Sequence, residues 1–193
     1  MTSHQQLIAR LETWAADHGI HVSEREMTID KAGEFDGLQI VLNRDYGVEE
    51  RAYYLAHSLG SILGWCLDRD RVQQMFDELE AVKEPQNQES ARLESAIDAY
   101  RRFETMTSEF AVQLLVELGF RELVPGYSNF FRADIEAMTV FHRTGVAPVW
   151  REFFRRWNDG VRRGERNVML FAPRPIPSFQ PIRIETQEVL QQQ

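Results

Sequence analysis

The sequence predicts an α+β protein that is mainly helical and carries one small sheet near its N-terminus. Apolar residues recur every three or four positions over most of the chain, which is typical of amphipathic helices. Two short β-prone runs, residues 27–29 and 38–42, have Gly33 and Asp36-Gly37 between them, which indicates a hairpin or a short two-strand unit. The 193 residues, of which 43% are hydrophobic, suffice to bury one core, so we expect a single domain.

Six helices are expected from the apolar spacing and from residues that cap or end helices. Gly19 and Gly119 follow apolar stripes and can close a helix, and Asp68 can cap the helix after it. The expected helices lie near residues 7–15, 49–66, 69–82, 93–118, 128–142 and 148–161. The polar residues 83–90 are expected to form an exposed loop, and repeated prolines after residue 172 indicate an extended surface tail.

The net charge of −8 argues against a nucleic-acid partner, because an acidic protein repels a phosphate backbone. The charge is uneven, and six arginines concentrate in the C-terminal part of the chain. They are Arg151, Arg155, Arg156, Arg162, Arg163 and Arg166. We interpret this cluster as a solvated helix face, and a binding surface stays open as the alternative.

The sequence also limits where the protein is expected to act. No apolar run approaches the roughly 20 residues that span a bilayer, so no membrane association is expected. The first residues lack the continuous apolar core of a secretory signal. A single cysteine, Cys66, cannot form an internal disulfide. These features favour a cytoplasmic location.

The segment most informative about function is residues 51–61, a predicted helix that carries His57. Zinc peptidases of the HExxH type place two histidines four residues apart, so both imidazoles reach one metal from the same helix face. A glutamate directly after the first histidine activates the metal-bound water. Here Ser58 stands at the glutamate position and Ser61 at the position of the second histidine.

Around these positions the chain resembles the ImmA/IrrE family of zinc metallopeptidases. In that family an Asp-Gly strand and an arginine precede the HExxH motif, which follows an alanine and contains Leu-Gly. The matching positions here are Asp36-Gly37 before the strand of residues 38–43, then Arg51, Ala56-His57 and Leu59-Gly60.

A second block of the family pattern is also similar. In the family, a glutamate ligand is followed six residues later by Phe-Ala and then by Leu-Leu. The corresponding residues are Glu104, Phe110-Ala111 and Leu114-Leu115, with Ser108 where asparagine is usual. The resemblance covers residues 20–118 and implies a zincin-like fold. In that fold His57 and Glu104 would face each other across one cleft, bordered by the edge strand of the sheet.

The two serines argue against hydrolysis. A serine hydroxyl is a poor zinc ligand beside imidazole, and His57 with Glu104 supplies two protein ligands where catalytic zinc usually has three. Ser58 cannot act as a carboxylate base. We therefore predict no catalytic residue, no cofactor and no metal at His57, Ser58, Ser61 and Glu104. Family members commonly act on regulators, so the resemblance implies a regulatory module that binds a peptide or protein partner.

Two other functions stay open. One is a working metal-dependent hydrolase in which zinc is held by His57, Glu104 and the distant His142. The other is a structural or assembly protein that uses the aromatic and basic C-terminal face. Within one domain of residues 1–193, the expected parts are a metallopeptidase-like core (20–118), a helical extension (119–172) and an extended surface tail (173–193).

Overall fold

Six helices and a three-stranded sheet make up the computed structural model over the residues it describes, 1–27, 32–35, 39–82, 90–167 and 169–178. The elements in chain order are α1 Ser3–Asp17, β1 His21–Arg25, β2 Gly33–Phe35, β3 Gln39–Asn43, α2 Val48–Leu67, α3 Arg69–Ala81, α4 Ser90–Glu117, a short 3-10 helix Arg121–Leu123, α5 Val124–Thr144 and α6 Trp150–Arg162. The predicted mainly helical α+β class is confirmed. No helix in the described part of the chain combines the length and apolar character that a membrane span requires.

The predicted helices are confirmed, and local capping explains several of their ends. Thr2 and Gln5 form a reciprocal capping box at α1. The Asp68 side chain accepts a hydrogen bond from a backbone N–H in the first turn of α3. Gly119 follows α4 with a φ of 89°, which glycine adopts without steric cost. Helix α5 begins earlier than expected because its first turn accommodates Pro125.

The sheet has the order β1-β3-β2, with β1 parallel and β2 antiparallel to β3. The antiparallel pair consists of β2 and β3, whereas the hairpin was expected between residues 27–29 and 38–42, so its first strand lies later in the chain than predicted. The predicted strand at residues 27–29 is wrong at Met27, and the rest of that run lies outside the described residues. The apolar pattern does not reveal β1, because His21–Arg25 is largely polar and has no buried residue.

The prediction that Gly33 lies in a turn is also wrong, because this residue is buried at the start of β2. A Cβ there would overlap the ring of Tyr54 and the backbone oxygen of Val41. Glycine therefore lets β2 pack closely on α2 at this position. The Asp36-Gly37 pair lies outside the described residues.

One large apolar core joins α1, the sheet, α2, the second half of α4 and α5. A smaller cluster joins α3 to the first half of α4. Helix α2 is central, and most of its residues from Ala52 to Gly64 are buried. Polar side chains on α2 therefore face neighbouring elements rather than open solvent, which determines the surroundings of His57.

Residues 169–178, which include the start of the predicted tail (173–193), form no helix or strand and dock on the helical body. Phe171 is buried, and its N–H donates a hydrogen bond to the hydroxyl of Ser128. Arg174 forms an ion pair with Glu109 on α4. The later tail residues lie outside the described part of the chain, as does most of the predicted loop at residues 83–90. Its last residue, Ser90, begins α4 and does not belong to a loop.

Candidate functional site

A cleft of about 670 Å³ opens between β2, α2, α4 and α5. Its polar side chains include His57, Ser58, Ser61, Glu104 and Asp134. Its aromatic side chains are Phe35, Tyr54, Trp65, Phe76, Tyr100, Phe103, Phe130, Phe131 and Trp150. Strand β2, which lies at one end of the sheet among the described residues, contributes to the lining. The expectation that an edge strand borders the cleft is therefore confirmed.

His57 on α2 and Glu104 on α4 face each other in this cleft, as predicted. Nε2 of His57 lies 2.9 Å from Oε2 of Glu104, and the two side chains are 11% and 9% exposed. The two atoms are close enough for an ion pair, but Oε2 accepts no hydrogen bond of good geometry from the described residues. Two positions far apart in sequence thus form one buried polar pair.

Two rings from α5 hold the imidazole of His57. Phe131 stacks on it, with the ring centroids 3.8 Å apart. The hydroxyl of Tyr127 lies 3.4 Å from Nδ1. Burial raises the pKa of Tyr127 well above its ordinary value, so this hydroxyl stays protonated. A protonated hydroxyl can donate to Nδ1 of His57.

Close packing of α2 on α4 brings His57 near Glu104. Gly60 lies about one turn after His57, and a Cβ at Gly60 would overlap the backbone oxygen of Thr107. One turn further along, a Cβ at Gly64 would lie 3.0 Å from the Thr107 side chain. Glycine at both positions allows the helix backbones to approach, so the Leu-Gly step of the motif has a structural role here.

Ser58 and Ser61 both line the cleft. Ser58 is 3% exposed, and its hydroxyl donates a hydrogen bond of 3.0 Å to the carbonyl oxygen of Tyr54. This bond is made within one turn of α2, so the hydroxyl of Ser58 is engaged by its own helix. Neither serine provides the carboxylate that activates water in an HExxH site.

The donors in the cleft do not fit a catalytic zinc site. Among the described residues, no three His, Cys, Asp or Glu side chains converge as a metal-binding group. His142 is buried and packs against the rings of Tyr100 and Phe141, so the alternative ligand set of His57, Glu104 and His142 is not assembled. With Ser61 in place of an imidazole, the motif supplies too few ligands for the usual tetrahedral site.

Asp134 on α5 lies in the cleft but was not among the predicted site residues. Its Oδ1 accepts a hydrogen bond of 2.6 Å from the indole N–H of Trp150. Burial raises the pKa of Asp134 from 3.8 to about 6; His57 and the Trp150 bond oppose the rise, and the charge of Glu104 adds to it. One sequence feature could have identified Asp134 as a site residue. It lies three residues after Phe131, on the same helix face as that ring.

The arginine cluster on and after α6 is largely used in contacts within the chain. Arg151 packs over the ring of Tyr46 at 4.0 Å. Arg166 pairs with Glu136 on α5, and Arg163 pairs with a neighbouring glutamate. These contacts favour the interpretation of the cluster as a solvated face that braces α6 against the body.

No family model, curated protein or solved structure matches the chain. The resemblance to ImmA/IrrE metallopeptidases stays a prediction that rests on the residues quoted above.

Proposed function

We propose that this chain is a non-catalytic, ImmA/IrrE-like module whose cleft binds an extended peptide segment of a partner protein and thereby regulates that partner. The observation that carries the proposal is the position of β2. This strand lies at the end of the sheet and lines the same cleft as the pair His57 and Glu104.

An edge strand is suited to binding an extended peptide. Within the described sheet, β2 pairs with β3 on one side. Backbone N–H and C=O groups on the other side of such a strand can pair with an added strand. Alternate side chains of the added strand would point the same way, toward the aromatic wall of the cleft. Backbone pairing would then supply affinity, and the aromatic wall would supply specificity.

The serines support binding without cleavage. Ser58 is bonded to the backbone of its own helix, and Ser61 replaces a zinc-binding imidazole. A general base typically contributes ~10²–10⁴ in rate, and no carboxylate occupies its place in the motif. A peptide held against β2 would therefore stay intact.

The proposal is tested by selecting a random peptide display library on the purified protein and measuring the affinity of the selected sequences. Ser61→Trp places a large ring in the cleft, so it should weaken binding at least tenfold. Leu67→Trp is the matched control, because it adds the same ring on the same helix at a residue that is 45% exposed. It should leave affinity unchanged.

Circular dichroism would first establish that both variants are folded. Equal affinities for the parent and Ser61→Trp would place the peptide outside the cleft and reject the proposal. A selection that returns no binding peptide would reject it as well.

A further inference from the structure

We propose that the bound peptide is anchored by a basic side chain, arginine or lysine, whose cationic group contacts Glu104 and Asp134 inside the aromatic cleft. This inference rests on the proposed function and specifies the chemistry of the peptide that the cleft accepts.

The first support is one oxygen of the Glu104 carboxylate, Oε2, because the contacts of this carboxylate with His57 and Tyr100 leave that oxygen without a hydrogen bond from the described residues. The Glu104 side chain is 9% exposed. A buried carboxylate oxygen without a hydrogen bond is costly, and a charged donor on a ligand would remove that cost. A guanidinium or ammonium group supplies several such donors.

The second support is the balance of charge in the cleft. Arg25 and Glu34, which both line it, pair with each other at 2.9 Å, so their charges offset. Glu104 and Asp134 are then opposed by His57 alone among the described charged or titratable lining groups, since the tyrosines stay neutral. At neutral pH the cleft is therefore negative whether His57 is protonated or not, and it attracts a cation.

The third support is the aromatic lining. The rings of Phe131 and Trp150 line the same cleft. Phe131 stacks on His57, which contacts Glu104, and the indole N–H of Trp150 donates to Asp134. Aromatic faces attract cations, and they also pack against the methylene groups of long basic side chains. Carboxylates framed by rings favour a basic side chain over a neutral polar one of the same length.

The experiment uses three fluorescent nonapeptides of alternating valine and serine that differ only in the central residue, which is arginine, citrulline or norleucine. Citrulline has nearly the shape of arginine without its charge, and norleucine keeps only the apolar stem. Fluorescence anisotropy should show that the arginine peptide binds at least tenfold more tightly than the citrulline peptide at neutral pH.

Glu104→Gln and Asp134→Asn should each reduce that preference to less than threefold. Glu109→Gln is the matched control, because Glu109 lies on α4 outside the cleft and pairs with Arg174. It should keep the full preference for arginine.

The outcomes separate the two proposals. Equal binding of the arginine and citrulline peptides, with both still blocked by Ser61→Trp, would overturn the basic anchor and leave the peptide-binding function standing. Retention of the full preference in both Glu104→Gln and Asp134→Asn would overturn the assignment of the two carboxylates. No binding of any of the three peptides, together with an empty display selection, would overturn both proposals.

Discussion

At the residue scale, the carboxyl of Asp134 is a group whose ionisation is coupled to folding. Burial raises its pKa in the folded protein to about 6, from an ordinary value of 3.8. The folded protein therefore binds this proton more strongly than the unfolded chain does. The resulting stabilisation is fully present below about pH 4 and is lost as the pH rises toward 6.

We expect Asp134→Asn to unfold at a higher denaturant concentration than the parent at pH 7, because a neutral amide replaces a partly buried charge. The gain should be roughly 1–3 kcal/mol in the free energy of unfolding. It should shrink toward zero below pH 4, where the parent carboxyl is also neutral. Urea titrations at several pH values measure this difference. A gain that is the same at pH 3.5 and pH 7 would contradict a raised pKa for Asp134.

Ser58 and Ser61 stand where a zinc peptidase of the HExxH type has a glutamate and a histidine. Ser58→Glu combined with Ser61→His should give the cleft a zinc site, because the new imidazole would join His57 and Glu104. Saturating zinc should then stabilise the double variant by roughly 3–4 kcal/mol, whereas the parent should purify without stoichiometric zinc and gain nothing. Metal analysis and thermal unfolding with and without zinc measure both effects.

Little or no peptidase activity is expected from the double variant, since catalysis also needs donors that stabilise the oxyanion. A folded double variant with no zinc affinity would show that positions 57, 61 and 104 do not converge. One zinc ion per parent chain would contradict the non-catalytic interpretation itself.

The sequence predicted part of this site for an identifiable reason. The residues around His57 and Glu104 resemble a family pattern in which these two positions meet, so their contact could be predicted from the sequence. Asp134 belongs to no such pattern, and its place in the cleft depends on how α5 rotates against α4. The packing between helices also sets the direction of the His142 side chain, which lies against aromatic rings.

At the scale of elements, the contact between α2 and α4 carries the site. Gly60→Ala should destabilise the protein by about 1–3 kcal/mol, because the added Cβ would meet the backbone oxygen of Thr107, which cannot move alone. Gly64→Ala should cost less, since its nearest neighbours are side-chain atoms from 3.0 Å outward. Chemical denaturation of the two variants measures the order. Equal costs, or a larger cost at Gly64, would contradict backbone contact at Gly60.

The helices were predictable because their apolar stripes repeat over several turns and end at glycine or a capping residue. The sheet was less predictable. Strand β1 lies at one edge with no buried residue, so its pattern carries little apolar signal. Gly33 allows β2 to pack closely on α2. A glycine in a sequence is equally typical of a turn, so the sequence does not distinguish the two roles.

In the whole molecule, the segment of residues 169–178 is bound to the helical body through Phe171. This ring is 4% exposed, and it lies beside Tyr127, whose hydroxyl approaches His57. Phe171→Ala should lower the free energy of unfolding by about 3–5 kcal/mol through loss of buried apolar surface. Leu170→Ala, at a neighbour that is 54% exposed, should change it by less than about 0.5 kcal/mol. Similar small effects of both substitutions would mean that the tail is not part of the folded core.

In the proposed function, the cleft, and not the arginine-rich face of α6, holds a peptide without cutting it. Hydrogen–deuterium exchange, measured by mass spectrometry with and without the tightest peptide from the display selection, tests this most directly. We predict slower exchange over residues 32–35 and 54–61, unchanged exchange over residues 155–166, and an intact peptide mass after incubation. Protection confined to residues 155–166, or a cleaved peptide, would contradict peptide binding without cleavage in the cleft.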